Sequence, residues 1–127
     1  MKTILLVLFT FSCFGAAAQS GGYDVIGKFK KGKARVYKNC YWGIIDRDGN
    51  EIVPPKYERI GAYKKGKALV YVNGYWGIID RDGTEIVTPK YEKIERFRNG
   101  VAKVYVNGLW GLIDTDGNEL VPVASGQ

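Results

Sequence analysis

Three copies of an Asp-x-Asp-Gly motif offer the clearest chemistry in this chain, because each copy brings two carboxylates close together. The copies span residues 46–49, 80–83 and 114–117. A calcium loop needs oxygen ligands at several fixed positions and a closing bidentate glutamate. In the first copy, Glu51 follows Gly49 by only two residues, and Asp-Gly is also what a turn between strands requires. We therefore interpret the motif as a structural turn and expect neither a metal ion nor a cofactor.

Enzymatic catalysis is not expected either. The chain contains no histidine, which removes His-based triads, general bases and metal ligands. The carboxylate pair formed by Asp46 and Glu51 recurs in all three copies, whereas an active site is usually single. Ser20 and Ser125 lie in the tails, and Cys40 has no histidine to activate it. We predict no catalytic residue.

Basic residues cluster once in each copy and provide a second candidate site. The candidate polyanion-binding residues are Lys30, Lys31, Lys33, Lys64, Lys65, Lys67, Arg96 and Arg98. If the copies stack in phase, these side chains form a positive stripe that could bind an acidic glycan. The alternative that we favour is a solvated face that discourages edge-to-edge pairing. Nucleic acid is not an expected partner, because the chain is predicted to be exported.

Aromatic side chains provide a third candidate. Tyr37, Tyr71 and Tyr105 alternate away from the Ala/Val face of their strands and form a possible ladder for stacking on sugars. Packing between repeats is the alternative that we favour, since a thin β array needs both of its faces covered.

These candidates all recur because the chain repeats itself every 34 residues. The predicted repeats span residues 23–56, 57–90 and 91–124, followed by a tail at 125–127. Short alternating apolar runs and frequent glycines favour strands over helices. In the second copy, residues 68–72 lead into Asn73-Gly74, which is a strong signal for a two-residue hairpin turn. A short third strand follows at residues 85–87, and Pro89 is expected to end its pairing.

A Trp-Gly pair lies at the centre of each copy. The predicted structural core residues are Trp42, Gly43, Trp76, Gly77, Trp110 and Gly111. Each indole removes about 200 Å² from solvent when it is buried. The glycine leaves room for a neighbouring backbone or ring to approach closely.

The stretch YWGIIDRDGNEIVPPKYERI at residues 41–60 resembles the WG repeat, also called the WG β-repeat, of bacterial proteins. The resemblance covers residues 23 to about 123 and departs from the family pattern at Thr88 and Val123, where proline is usual. It implies a β-rich repeat that is often exported or surface-associated. Interaction or scaffolding is the implied role, and no general enzymatic activity is implied.

The predicted fold is therefore all-β: a tandem array of three 34-residue units, each a three-stranded antiparallel meander. We favour an open, solenoid-like array over a partly closed barrel, because the sequence shows no closing strand. Stacking of one unit on the next supplies the partner that a single meander lacks. The terminal units are expected to carry polar caps.

Residues 1–18 are predicted to be a signal peptide cleaved after Ala18, followed by a linker at residues 19–22. Lys2 supplies a positive start, the apolar run at residues 4–11 is too short to span a bilayer, and small residues precede the predicted cleavage site. A retained membrane anchor and a lipoprotein anchored through Cys13 are less favoured alternatives. Cleavage lowers the net charge from +6 to +5, because it removes Lys2. The mature part contains no second apolar stretch of membrane-spanning length.

The predicted function is that of an exported, non-enzymatic binding or scaffold module in the periplasm, at the cell surface or outside the cell. Its partner would be a protein, with an envelope glycan or another polyanion as the alternative. After cleavage only Cys40 remains, and we favour an unpaired turn residue over pairing between molecules. Because Cys40 stands where the other copies have glycine, its hairpin is expected to be the loosest of the three.

Overall fold

The protein is described by a computed structural model that covers residues 22–123. All named elements of these residues are strands, arranged as three four-stranded antiparallel sheets. Sheet 1 contains β1 (Val25–Ile26), β2 (Lys33–Lys38), β3 (Tyr41–Asp46) and β4 (Glu51–Tyr57). Sheet 2 contains β5 (Arg59–Ile60), β6 (Lys67–Val72), β7 (Tyr75–Asp80) and β8 (Glu85–Tyr91). Sheet 3 contains β9 (Lys93–Ile94), β10 (Val101–Val106), β11 (Leu109–Asp114) and β12 (Glu119–Val121).

The prediction of an all-β repeat fold is confirmed, and none of the described sheets closes into a barrel. The predicted signal peptide, Cys13 and the C-terminal tail lie outside the described residues. Within residues 22–123, no helix is long and apolar enough to cross a membrane. The chain divides into two compact units, Met1–Arg59 and Ile60–Gln127. The first holds sheet 1, and the second holds sheet 3 and all of sheet 2 except Arg59.

The expectation of three strands in each unit is wrong, because the stretch that precedes each meander adds a fourth strand. In sheet 1, β1 pairs with β2, and the turn between them has positive φ at Lys31 (52°) and Gly32 (81°). Lys65-Gly66 and Asn99-Gly100 form the same turn in sheets 2 and 3. Two successive residues with φ > 0 match the twist of a tight hairpin. In sheets 1 and 2 this turn is a Lys-Gly pair, which is a weaker turn signal than Asn-Gly. In sheet 3 it is Asn99-Gly100, a strong signal that the prediction of three strands did not use.

The predicted Asn-Gly hairpins are present. Asn73 and Gly74 have φ values of 56° and 88°, and they join β6 to β7. In sheet 3 the equivalent turn is also held by a carboxylate, because the backbone N–H of Asn107 donates to Glu92 Oε1 at 2.9 Å. Cys40 adopts the same left-handed conformation with φ 73°, which costs a non-glycine residue about 1 kcal/mol. The looseness expected of that hairpin stays a prediction.

The expectation that Pro89 ends strand pairing is also wrong. β8 continues to Tyr91, which pairs with Trp76, while Val87 pairs with Ile78. Three residues of β8 therefore lie opposite the single residue Gly77, which defines a bulge. Proline is tolerated at bulges because its missing N–H is not needed for the ladder there. β4 repeats the arrangement across Pro54 and Pro55.

The bulge explains why a glycine follows each tryptophan. A Cβ atom added to Gly77 would lie 2.5 Å from the Val87 carbonyl oxygen and 2.8 Å from the Pro89 nitrogen. The carbonyl oxygens of Val53 and Val121 approach Gly43 and Gly111 equally closely. The central glycine is thus required by the backbone of the next strand, and its role is structural.

Candidate interaction surface

Each sheet has two faces, which we call face A and face B. Face A is made by Ala34, Val36, Gly43 and Ile45 in sheet 1, by Ala68, Val70, Gly77 and Ile79 in sheet 2, and by Ala102, Val104, Gly111 and Ile113 in sheet 3. Face B is made by Tyr37, Trp42, Ile44, Val53 and Tyr57 in sheet 1, by Tyr71, Trp76, Ile78, Val87 and Tyr91 in sheet 2, and by Tyr105, Trp110, Leu112 and Val121 in sheet 3. The three sheets therefore have closely matching faces.

In the second compact unit, face B of sheet 2 packs on face A of sheet 3. The buried cluster that joins them consists of Ile78, Val87, Tyr91, Ala102, Val104 and Ile113. Ile86 packs against this cluster, and its carbonyl oxygen lies 2.6 Å from where a Cβ atom of Gly117 would be. The Tyr91 hydroxyl donates to Glu119 Oε2 at 3.1 Å across the same contact. Burial of the Tyr91 ring, followed by the charge of Glu119, raises the pKa of Tyr91 to about 12.

Face B of sheet 3 presents the same types of side chain without an equivalent cover among the described residues. Trp110, Leu112 and Val121 are half-buried, whereas Ile78 and Val87, the equivalents of Leu112 and Val121, are buried. Leu120, the equivalent of Ile86, is 50% exposed. We call the surface formed by Tyr105, Trp110, Leu112, Leu120 and Val121 the open face.

The open face corrects the expectation of a polar cap. The polar substitution in its strands is Lys103, which stands where sheet 2 has Leu69. The ammonium nitrogen of Lys103 lies 5.2 Å from the centre of the Trp110 ring, a cation–π contact. Its alkyl stem can lie along apolar surface while its charge stays in water. One amphipathic side chain thus borders the open face without making it polar.

The predicted tyrosine ladder belongs to face B, as its alternation indicates. Tyr37 pairs with Trp42 at a ring-centre distance of 4.8 Å, and Tyr71 pairs with Trp76 at 4.7 Å. The Tyr105 hydroxyl instead donates to Glu95 Oε2 at 3.0 Å, and this hydrogen bond raises the pKa of Tyr105. The first two rings therefore contact tryptophans of their own sheets, and the expected packing of these tyrosines between repeats stays a prediction.

The placement of the tryptophans in the core needs correction. The three indoles are half-buried and lie outside the buried core. The reason is visible in sheet 2, where Trp76 contacts Tyr71 while Tyr91, its partner in register, takes the buried position in the cluster. Tyr57 is likewise buried in sheet 1. Both tyrosines follow a proline-containing stretch, across which the pairing of the strand was expected to end.

The predicted basic residues lie at one end of their own sheets. Lys30 and Lys33 bridge the Lys31-Gly32 turn, and Lys64 and Lys67 bridge the Lys65-Gly66 turn. In sheet 3, Arg98 pairs with Val101 across the equivalent turn, and Arg96 precedes it. Lys33 lies directly opposite Asp46 in the register, and Lys67 lies opposite Asp80. The basic turns and the Asp-x-Asp-Gly turns therefore share one end of each of the first two sheets, so their charges partly compensate.

The first aspartate of each Asp-x-Asp-Gly motif is engaged by its own turn. Asp46 Oδ1 accepts hydrogen bonds from the backbone N–H groups of Asp48 and Asn50, both at 2.9 Å. Its Oδ2 accepts from the Asn50 side-chain amide at 3.1 Å. These bonds, led by the backbone N–H of Asn50, lower the pKa of Asp46, and Asp114 has the same bonds and the same shift. Within residues 22–123, no group of three or more acidic or cysteine side chains is arranged to hold a metal ion.

Cys40 is disulfide-bonded in the structure of the full-length sequence. It is the only cysteine among residues 22–123. The expectation of an unpaired thiol concerns the chain after cleavage, and it stays a prediction.

With this geometry established, the comparisons with known proteins identify the family. The family model described as the WG containing repeat matches residues 42–76, 76–110 and 110–123. The chain therefore belongs to the WG-repeat family. No curated protein and no solved structure matches it.

The sequence analysis missed the residues that form most of the open face, namely Leu112, Leu120 and Val121. A signal was available, because each has an apolar equivalent 34 residues earlier, at Ile78, Ile86 and Val87. Comparing the repeats position by position would have shown that the third repeat keeps the residues with which the second covers its neighbour.

Proposed function

We propose that this chain is an exported, non-enzymatic binding module that engages a protein partner through the open face. The observation that carries the proposal is the half-buried state of Leu112 and Val121, beside a Leu120 that is 50% exposed. Their equivalents in sheet 2, namely Ile78, Val87 and Ile86, pack against a neighbouring sheet. Contiguous exposed apolar surface marks interaction sites in proteins, and tryptophan is enriched among residues that dominate binding energy.

The surroundings of the open face favour a protein over a small ligand. The face belongs to a regular β-sheet and is bordered by the charged side chains of Lys103 and Glu95. An apolar centre with a polar rim is the usual anatomy of a protein–protein interface. A flat partner surface of similar pattern would cover Leu112 as the next sheet covers Ile78.

A non-enzymatic role is supported by what the conspicuous residues do. Gly77 makes room for the bulge of β8, and the Asp46 carboxylate accepts three hydrogen bonds within its own turn. Such roles recur with the repeat, as a structural requirement does. A general base needs a carboxylate that is available to take a proton from substrate.

Photo-crosslinking in the native cell tests the binding proposal. A photoreactive residue placed at Leu120 should give a protein adduct, and the Leu112→Lys substitution should abolish it. The same photoreactive residue at Thr115, in an exposed turn, should give none. The absence of an adduct at position 120, or an adduct that survives Leu112→Lys, would contradict binding through this face.

Export is tested separately. We expect the protein in the envelope or medium fraction to begin at Gln19, which N-terminal sequencing would show. A chain that stays in the cytoplasm with residues 1–18 attached would overturn this part of the proposal. An N-terminal modification at Cys13 would instead identify the lipoprotein alternative.

A polyanion is the second candidate partner, favoured by the net charge of +5 after cleavage and by the three lysines grouped around the Lys31-Gly32 turn. Dextran sulfate is a suitable probe. Its binding should weaken steeply as salt rises, because association releases counterions. Loss of binding in a Lys30→Gln, Lys31→Gln, Lys33→Gln variant would support this candidate. Unchanged binding in that variant would remove it.

A further inference from the structure

Sheet 1 differs from the other two sheets in its first strand, which lies at one edge of each sheet. β5 and β9 carry Arg59 and Lys93 at the position where β1 carries Val25. Proteins place charged side chains on edge strands because they discourage a further strand from pairing there. In β1, Val25 is 47% exposed and Ile26 is 57% exposed. The edge of sheet 1 therefore presents apolar side chains to solvent without the charge that protects the other two edges.

The apolar residues of this edge are exposed where their equivalents in sheet 3 are packed. Ile94 and Phe97 are half-buried and lie against the cluster that joins sheets 2 and 3. Their equivalents in sheet 1 are Ile26 and Phe29, and Phe29 is 38% exposed. Ile26 and Phe29 are thus available for a contact of the kind that their equivalents make within the chain.

The backbone of β1 is oriented to accept another strand. The Gly27 N–H donates to the Arg35 carbonyl oxygen at 2.8 Å, so the polar groups of Gly27 face β2. Successive residues of an antiparallel strand direct their N–H and C=O groups to opposite sides, so those of Ile26 point away from β2. Among the described residues, no strand pairs with that side of β1. Ile26 therefore offers a donor and an acceptor to an added strand.

The sequence around Ile26 is complementary to itself when two copies run antiparallel. With Ile26 opposite Ile26, Asp24 of each copy lies opposite Lys28 of the other. Opposite charges facing each other favour pairing, whereas a parallel pair in the same register would bring like charges together. The same antiparallel register sets Val25 opposite Gly27, whose lack of a side chain leaves room for the valine. The charges and the side-chain sizes therefore favour a second copy in this orientation.

We infer that two copies associate through β1, with the two strands antiparallel and Ile26 opposite Ile26. Each Ile26 N–H donates to the carbonyl oxygen of the other, and the two four-stranded sheets join edge to edge. The same surface serves on both sides, so the contact closes at a dimer. Because β1 has only two residues, the interface is small and the dimer is weak. The inference goes beyond the proposed function and uses no part of the open face.

Analytical ultracentrifugation of the protein, expressed from its full sequence, tests the inference. Between about 1 μM and about 1 mM, a range that covers weak to moderate association, the mean sedimentation coefficient should rise toward that of a dimer and no further. Val25→Lys, which gives β1 the residue type that β9 has at Lys93, should stay monomeric. Leu109→Lys adds the same charge at a position that is 39% exposed and should associate as the unmodified protein does.

Two outcomes of that experiment would overturn the inference. One is an unmodified protein that stays monomeric up to about 1 mM. The other is a Val25→Lys variant that dimerises as readily as Leu109→Lys, because a charge on the pairing edge would then have no effect.

A proline substitution isolates the backbone hydrogen bonds of the contact. Ile26→Pro removes an N–H that points away from β2, and proline is compatible with an edge strand, so sheet 1 should stay folded while the dimer is lost. Ile26→Ala shortens the side chain but keeps the N–H, so part of the association should remain. Equal association of the two variants would contradict pairing through the backbone. If circular dichroism shows that Ile26→Pro is unfolded, Val25→Lys decides the question.

An exchange of charges tests the register. Asp24→Lys and Lys28→Asp should each be monomeric, because each sets like charges opposite one another twice. An equimolar mixture should dimerise, since the lysines of one variant then face the aspartates of the other. A mixture that stays monomeric would overturn the register. Asp24 Oδ2 also accepts a hydrogen bond from the Asn39 N–H at 3.3 Å. If Asp24→Lys is unfolded for that reason, Lys28→Asp must still weaken association more than Lys28→Gln.

Two controls separate this contact from other ways of forming a dimer. Leu112→Lys, which disrupts the open face, should leave the dimer intact, and its loss would assign association to the open face and reject the inference. The dimer should also persist in a reductant, and its loss there would show a disulfide link and reject the inference as well. The crosslinking experiment at Leu120 reports on the open face, so failure of β1 pairing leaves the proposed function standing.

Discussion

Sheets 2 and 3 carry matching side chains at equivalent positions, yet their B faces have different surroundings. Ile78 and Val87 are buried beneath the next sheet, while Leu112 and Val121 are half-buried at the open face. The comparison shows that each repeat carries an apolar face B. Whether that face stabilises the fold or remains available for binding depends on whether another sheet packs against it. Substitutions at equivalent positions should therefore have unequal effects.

The largest difference is expected between Ile78→Ala and Leu112→Ala. Ile78→Ala removes buried atoms from the joint between two sheets and should lower the free energy of unfolding by about 3 kcal/mol. Leu112→Ala should cost about 1 kcal/mol, since the side chain is already partly in solvent. Urea denaturation of the dilute protein, in which association is absent, measures both. Equal losses would mean that the open face is as well covered as its equivalent.

The central glycines provide the next test. Gly77→Ala places a methyl group against the Val87 carbonyl and the Pro89 nitrogen, so the backbone of β8 must move, and we expect a loss of about 2–3 kcal/mol. Gly111→Ala should cost less, because β12 is only three residues long and can shift more easily. Gly61→Ala is a matched control, since its nearest neighbour would be at an ordinary 3.5 Å. Thermal unfolding with Gly77→Ala no more harmful than Gly61→Ala would contradict the bulge argument.

The parts of the fold and site that could be predicted are those that depend on local interactions. The Asn73-Gly74 pair predicts its hairpin directly. The glycine that follows each tryptophan indicates a close backbone approach, which the structure shows at Gly77. The fourth strand of sheet 2 was missed because Lys65 adopts positive φ without any sequence signal for it, whereas Asn99-Gly100 gave such a signal in sheet 3. Pro89 was interpreted as a strand breaker because the bulge that accommodates it depends on Gly77 across the sheet. The exposure of the open face depends on the neighbours of sheet 3 in space, which composition alone does not indicate.

The contact between sheets 2 and 3 should also make stability depend on pH. The pKa of Tyr91 is raised to about 12 in the folded protein, from an unfolded value of about 10. Between these values the unfolded chain loses the phenolic proton first, so the free energy of unfolding should fall by an amount of order 2 kcal/mol. Below about pH 10 this contribution is fully present.

Denaturation at several pH values tests that expectation with a phenylalanine variant. Tyr91→Phe should flatten the fall in stability between about pH 10 and 12. The parts due to Tyr105 and to Tyr23 should remain, since the pKa of Tyr105 is raised by its hydrogen bond to Glu95 and that of Tyr23 is raised to about 12 chiefly by its hydrogen bond to Glu51. Identical profiles for Tyr91→Phe and the unmodified protein would show that the contact with Glu119 does not contribute.

The smallest effect is expected where sheet 1 departs from the turn used by the other two sheets. Cys40 has φ 73° in a position that glycine fills in sheets 2 and 3, as at Gly74 with φ 88°. Cys40→Gly and Cys40→Ala both remove the sulfur, so the difference between them isolates the backbone. Glycine should be the more stable replacement by about 1 kcal/mol, because alanine retains the Cβ atom that disfavours the left-handed region. Conversely, Gly74→Ala should cost a similar amount in sheet 2. If Cys40→Ala proved as stable as Cys40→Gly in urea, the first hairpin would have to reach its conformation without strain, and the turns of the three repeats would be energetically alike despite their different residues.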